Sequence, residues 1–217
     1  MNAKKIKLIE LGLKQYAYCI QVQNNLFNKL VVHKCKGYMD TILLCEHYPV
    51  YTFGNRQQIN IADTSLPASA IQTDRGGLAT VHSPGQLIAY FICDVRPSVK
   101  TFIHKILKAA SMTITDMFSI DTFINTSNAD TVGLWTNDRE RKLAAIGLRY
   151  SQHYSKHGIA INCSNDLSWF KHIEPCGLNS NRISSLSTEM KYLIEPKDIQ
   201  ICFLSHLQTE LNFEIVK

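Results

Sequence analysis

Apolar and polar positions alternate along KIKLIELG near the N-terminus, the period of a strand with one face buried. From Tyr16 to Val32 the spacing lengthens to that of a helix, with Cys19, Val22, Leu26 and Leu30 on one side. TILLCEHYPVYTFG is apolar almost throughout and predicts a buried strand, stopped by Pro49 and Gly54. Residues 55–70 are polar and predict a loop. A glycine- and proline-rich stretch follows, then LIAYFICDV, a strand. Pro97 opens a helix with Val99, Phe102, Ile103, Ile106, Leu107 and Ala110 on one face. ADTVGLWTNDRERKLAAIGLRYSQ reads as a hairpin: strand 132–136, turn 137–141, strand 142–151. HGIAINCS predicts another strand, and Pro196 starts a last helix with Ile199, Cys202, Phe203, Leu207 and Leu211 on its face. Strands and helices without regular alternation indicate an α+β fold, a mixed or antiparallel sheet flanked by helices. A Ser/Asn-rich shift near residues 180–195 marks where a small C-terminal lobe would join a single domain spanning 1–217.

Composition narrows the function classes. With 217 residues, 45% of them hydrophobic and 19% charged, the chain can bury a real core and is not disordered. The net charge of +5 is mild, and no Lys/Arg block or nucleic-acid-binding signature accompanies it. No apolar run reaches membrane-spanning length, and MNAKKIKLIELG lacks the apolar region of a signal peptide. The expectation is therefore a cytoplasmic monomer with neither nucleic-acid nor membrane partners. Seven cysteines are scattered without a CxxC, which fits reduced thiols and predicts no metal site. Cys19, Cys45, Cys93 and Cys202 lie among apolar neighbours and read as buried thiols. His153 and His157 are four apart in a strand–turn region with no third ligand, so they do not make a metal pair.

RGGLATVHSPGQ, from Arg75 to Gln86, is where chemistry concentrates. Gly76 and Gly77 let a ligand approach main-chain N–H groups, and Arg75 can grip a carboxylate or phosphate with two hydrogen bonds. Arg75 bracing the loop from behind is the competing reading. His82 titrates near neutrality if unperturbed. No GK[ST] and no G-x-G-x-x-G spacing follow, which speaks against a phosphate loop.

Five segments occur together in order: EHYPVYTFGNR (46–56), RGGLATVHSPGQLIAYFICDV (75–95), RKLAAIGLR (141–149), HGIAINCSNDLSWF (157–170) and EPCGL (174–178). With them the chain resembles the lipoyl(octanoyl) transferase family, which shares its fold with biotin and lipoate protein ligases. The resemblance implies a biotin/lipoate protein ligase-like fold with a smaller second sheet or lobe. It implies transfer of an octanoyl group from octanoyl-acyl carrier protein, through a cysteine thioester, to a lysine of a lipoyl domain. The acceptors would be the E2 subunits of 2-oxoacid dehydrogenases and the glycine-cleavage H protein. No cofactor is implied. Carried over by residue, the thioester cysteine is Cys176 and the lysine before the AAIG strand is Lys142. The substrate-lining segments are Arg75, Gly76, Gly77, Leu78, Ala79, Thr80, Val81 and His82; Ala145, Ile146 and Gly147; and Gly158, Ile159 and Ala160. The chain departs from the family pattern at Ser83, where glycine is usual, and at Val132, where proline is usual.

The chemistry agrees with that assignment. A free thiol is ionised to only a few per cent at neutral pH. An ammonium ~4 Å away, at an effective dielectric of ~20, would stabilise the thiolate by up to ~4 kcal/mol. Lys142 can fill that role for Cys176, and main-chain N–H groups beside the thiol would meet the tetrahedral oxyanion. An eight-carbon chain gains on the order of 5 kcal/mol on burial. Gly76, Gly77, Ala144, Ala145, Gly147 and Ala160 are small enough to leave it a slot. Trp135 and Trp169 read as packing residues, and Lys4, Lys5, Lys7 and Arg149 could steer an acidic carrier. Three rivals predict different behaviour. An ATP-dependent lipoate or biotin ligase needs no cysteine, a Cys176/His82 hydrolase needs no lysine acceptor, and a carrier-binding module forms no thioester.

Overall fold

Side chains along β2 (Asp40–His47) point alternately into two cores: Ile42 and Leu44 enter one, Leu43 and Cys45 the other. Strand β6 (Gln86–Ile92) does the same, with Leu87, Ala89 and Phe91 opposed to Ile88, Tyr90 and Ile92. A strand buried on both faces needs cover on both, which explains the unbroken apolar runs in these segments. The computed structural model describes residues 3–32, 38–59, 66–127 and 131–216; Cys35 and residues 60–65 of the expected loop lie outside them.

The main sheet has eight strands. Beside β2 and β6 they are β1 (Lys4–Lys14), β7 (Thr122–Asn125), β8 (Gly133–Thr136), β9 (Lys142–Ser151), β10 (Tyr154–Asn162) and β11 (Phe213–Val216). Their order is β11-β1-β2-β6-β10-β9-β8-β7. The β11–β1 and β1–β2 pairs are parallel and the other neighbours antiparallel, so the sheet is mixed. A second sheet holds three strands, β3 (Val50–Phe53), β4 (Ser69–Gln72) and β5 (Thr80–His82), in the order β4-β3-β5.

Helix α1 (Tyr16–Val32) covers the Leu43/Cys45 face, burying Cys19 and Leu30. The opposite face packs against α2 (Val99–Phe118) and α4 (Pro196–Leu211), with Ile106, Leu107, Ile199 and Phe203 fully buried. Ser98 caps α2 by accepting from the Thr101 N–H, one residue after the proline that marks the helix start in the sequence. A short α3 (Leu186–Met190) precedes α4, and β11 returns the chain to the main sheet beside β1.

The expected α+β architecture with a smaller second sheet is what forms. TILLCEHYPVYTFG is not one strand, however. It divides at Tyr48–Pro49 into β2 and β3, which belong to different sheets. Proline has no N–H to give the ladder, so pairing stops there and the chain changes partner. The polar stretch 55–70 also runs into a strand, because Ser69–Gln72 pairs in parallel with β3.

Candidate active site

Cys176 sits in a tight 3-10 turn, Pro175–Gly177, with the left-handed φ of 55°. That is uncommon for a residue with a Cβ, and several bonds hold it there. The Cys176 N–H donates to the Ala79 carbonyl at 2.9 Å, fastening the turn beside β5. The Gly177 N–H donates to Glu174 at 3.1 Å and the Leu178 N–H to Pro175 at 3.0 Å. All three N–H groups are thus committed to carbonyls. This corrects the expectation that the turn's own backbone would meet an oxyanion.

Lys142 opens β9 and lines one recess with Cys176, close enough for the two groups to act on each other electrostatically. It is only 2% exposed. The sequence RERK looks like a solvated turn, but the hairpin ends one residue earlier and β9 carries the lysine inward. Gly133 makes room: a Cβ there would lie 2.5 Å from Lys142 Cε. The ammonium also lies 5.5 Å from the centre of the Trp135 ring. Burial pushes the lysine below its ordinary pKa, while the Cys176 thiolate pushes it back up. A lysine between those influences can both hold a thiolate and exchange a proton.

The thiol opens on a cleft with a largely apolar wall. Arg75, Gly76, Gly77, Thr80, His82, Ala145, Ile146, Gly147, Gly158, Ile159 and Ala160 line it. A smaller recess shares Thr80, Ala145, Ala160 and Cys176 and reaches Lys142. Leu78, Ala79 and Val81 are not among the residues lining the cleft. Ala79 and Val81 point instead into the core under the small sheet, and Leu78 faces Gly177. Tyr16, Ile88, Tyr90, Val132 and His157 line the cleft without having been singled out for it.

Two polar residues behave differently from their sequence reading. The guanidinium of Arg75 donates to the Thr52 carbonyl at 2.7 Å, to Thr52 Oγ1 at 3.0 Å and to the Gly76 carbonyl at 3.2 Å. It braces the loop from behind while its flank lines the cleft. His82 does not titrate near neutrality: burial, with the charges of His47 and Arg75, pulls it down to about 3. The ring is held against Gln86 at 3.1 Å. It is a neutral wall of the cleft rather than a proton carrier at physiological pH.

The loop is also tied to the main sheet. The Gly76 N–H donates to Leu148 at 2.9 Å. Gly147 permits that approach, since a Cβ on it would come 2.7 Å from the Gly76 carbonyl oxygen. Asp74 accepts from Lys156 at 3.0 Å and bonds His157 Nε2 at 2.8 Å, and these partners hold its carboxyl well below the usual range.

A mixed sheet with a small second sheet and a cleft lined by Cys176 defines an α+β domain with a candidate ligand site. The lipoyl protein ligase A/B catalytic domain model matches residues 15–208, and the chain belongs to that family. The chain is 32% identical over 216 residues to the mitochondrial octanoyl-[acyl-carrier-protein]:protein N-octanoyltransferase LIPT2 of Homo sapiens, covering 94% of this chain and 92% of that one. It is also 32% identical over 230 residues to an octanoyltransferase of Bacteroides thetaiotaomicron, covering 98% and 100%. Among solved structures, a bi-partite lipoate protein ligase from Thermoplasma acidophilum superposes with a TM-score of 0.70 at 11% identity, over 100% of this chain and 87% of that one. The biotin protein ligase of Aquifex aeolicus superposes with a TM-score of 0.54 at 13% identity, over 94% and 68%. These two likenesses establish the fold.

Proposed function

We propose that the chain is an acyltransferase that moves an octanoyl group from octanoyl-acyl carrier protein to a lysine of lipoyl domains, through a thioester on Cys176. The observation that carries this reading is the buried Lys142 sharing a recess with Cys176, whose sulfur also lines a largely apolar cleft. The names of relatives spanning nearly the whole chain agree with it.

In the first half-reaction the Cys176 thiolate attacks the carbonyl of the carrier's thioester. The new S–C bond forms, the carrier's sulfur leaves, and it takes a proton from Lys142. In the second half-reaction the acceptor lysine arrives as a neutral amine, attacks the Cys176 thioester, and passes one N–H proton to Lys142. The Cys176 thiolate leaves, and the ion pair is restored. Ala145 and Ala160 flank the acyl chain, while Arg75 and Gly76 hold the loop over it.

The lipoyl domains of 2-oxoacid dehydrogenase E2 subunits and the H protein are the acceptors in this account. The protein acts as a cytoplasmic monomer, without a cofactor. An apo-lipoyl domain incubated with the protein and octanoyl-acyl carrier protein, with no ATP, should gain one octanoyl mass. Modification only when ATP and free octanoate are supplied would replace this reading with a ligase.

A further inference from the structure

Two cysteines and a histidine that the transfer chemistry does not use meet beneath α1. Cys19 comes from α1, and Cys45 and His47 come from β2. All three are buried, none more than 4% exposed. Their ligating atoms lie within 4.8 Å of one another. Cys45 Sγ is 3.7 Å from His47 Nε2.

We propose that Cys19, Cys45 and His47 form a binding site for a zinc-class divalent cation. A tetrahedral zinc ion, with bonds of ~2.3 Å to sulfur and ~2.1 Å to nitrogen, has ligand–ligand edges of ~3.8 Å (S–S) and ~3.6 Å (S–N). The Cys45–His47 separation already matches the second edge, and the sulfurs lie within 4.8 Å of each other, about an ångström of closure from the first. The imidazole is oriented for the task. Its Nδ1 lies 3.0 Å from the Lys14 carbonyl, which can only accept, so Nδ1 carries the hydrogen. Nε2 therefore keeps the lone pair that a cation would take, as a carbonyl on the other ring nitrogen does for metal-bound histidines. Two thiolates neutralise a divalent ion, so the filled site buries no net charge; the two thiol protons pass to solvent on binding.

Tyr90 completes the surroundings. Its hydroxyl donates to the same Nε2 at 2.7 Å and would turn off that lone pair when a cation binds. The Tyr90 ring also lines the acyl cleft, so a cation here would join α1 to β2 directly behind the cleft wall. Sequence spacing gives no hint of this, because Cys19 is remote from Cys45 and no short ligand motif links them.

The test reads metal, not activity. Reduced, chelator-stripped protein is titrated with Co²⁺ and then Zn²⁺. One ion per chain is expected, with thiolate-to-cobalt absorption that zinc displaces. Cys176→Ser should retain the site, and Cys19→Ala/Cys45→Ala should weaken it on the order of 100-fold or more. X-ray absorption at the zinc edge of the wild-type protein, which requires no variant to fold, should show two sulfur ligands. A shell without sulfur, less than one ion bound at saturation, or equal affinity in the double variant would overturn the proposal.

Discussion

Replacing Lys142 with methionine keeps most of the side chain's volume and removes its charge. The lysine is 2% exposed and shares a recess with Cys176, so the variant leaves the sulfur there without its neighbouring cation. At ~4 Å and an effective dielectric of ~20 the lost attraction is ~4 kcal/mol, an upper bound. Desolvation of the ammonium, visible as its lowered pKa, takes back part of that. A net loss of ~2–3 kcal/mol corresponds to a fall of roughly 30- to 150-fold in the rate at which the sulfur reacts at neutral pH. The assay is iodoacetamide alkylation of Cys176, followed by peptide mass from pH 6 to 10. Lys142→Met should alkylate at neutral pH slower by about that factor, with its pH profile displaced to more alkaline values. Lys142→Arg should keep fast alkylation but lose transfer, because a guanidinium holds the thiolate without exchanging its proton. Identical alkylation rates and profiles for wild type and Lys142→Met would refute the ion-pair argument.

Three further outcomes follow from the geometry. Gly147→Ala would place a Cβ 2.7 Å from the Gly76 carbonyl oxygen, so the Arg75–Gly77 loop must lift from β9; a stability loss of ~1–3 kcal/mol in urea and a larger loss of octanoyl transfer should result. Arg75→Lys cannot reproduce the fork on Thr52, whose carbonyl and hydroxyl are both bonded; it should raise KM for the acyl carrier and cost ~1–2 kcal/mol in stability, with unchanged KM counting against the bracing role. His82 binds a proton near pH 6.5 when unfolded but only at about 3 when folded, so below 6.5 the unfolded state holds more protons and is favoured. Stability contributed by the neutral ring should therefore fall by ~1.4 kcal/mol per unit as pH drops from 6.5; burial also pulls His47 down to about 4, so His82→Asn should flatten this pH dependence without abolishing it, and urea midpoints whose pH dependence between 7 and 5 is the same in wild type and variant would contradict it.

The parts of the fold legible in the sequence are those with long, single-period patterns. The helix expected from Tyr16 to Val32 is α1, and the strand expected over 142–151 is β9. The short strands β4, β5, β7 and β11, of three or four residues each, carry too few positions to display a period. The β2–β3 division was hidden because Val50, Tyr51 and Phe53 are as apolar as the residues before Pro49, although Tyr51 and Phe53 serve a different core. In the site, Cys176 and Lys142 were reached through resemblance, and what joins them is tertiary: the Cys176 turn is fastened to Ala79, and β9 turns Lys142 inward. Within Arg75–His82 the strand alternation of β5 decides which residues face the cleft, sending Thr80 and His82 there and Val81 away. Tyr16, Tyr90 and His157 come from three separate elements, so no local pattern announces that they meet.

The account's central claim is that Cys176 carries the acyl group. Intact-protein mass after incubation with octanoyl-acyl carrier protein, without ATP, tests it most directly. Wild type should gain one octanoyl group that hydroxylamine removes and that an added lipoyl domain discharges, while Cys176→Ser gains none. Transfer to the domain by Cys176→Ser at the wild-type rate, or an adduct that persists in that variant, would contradict it.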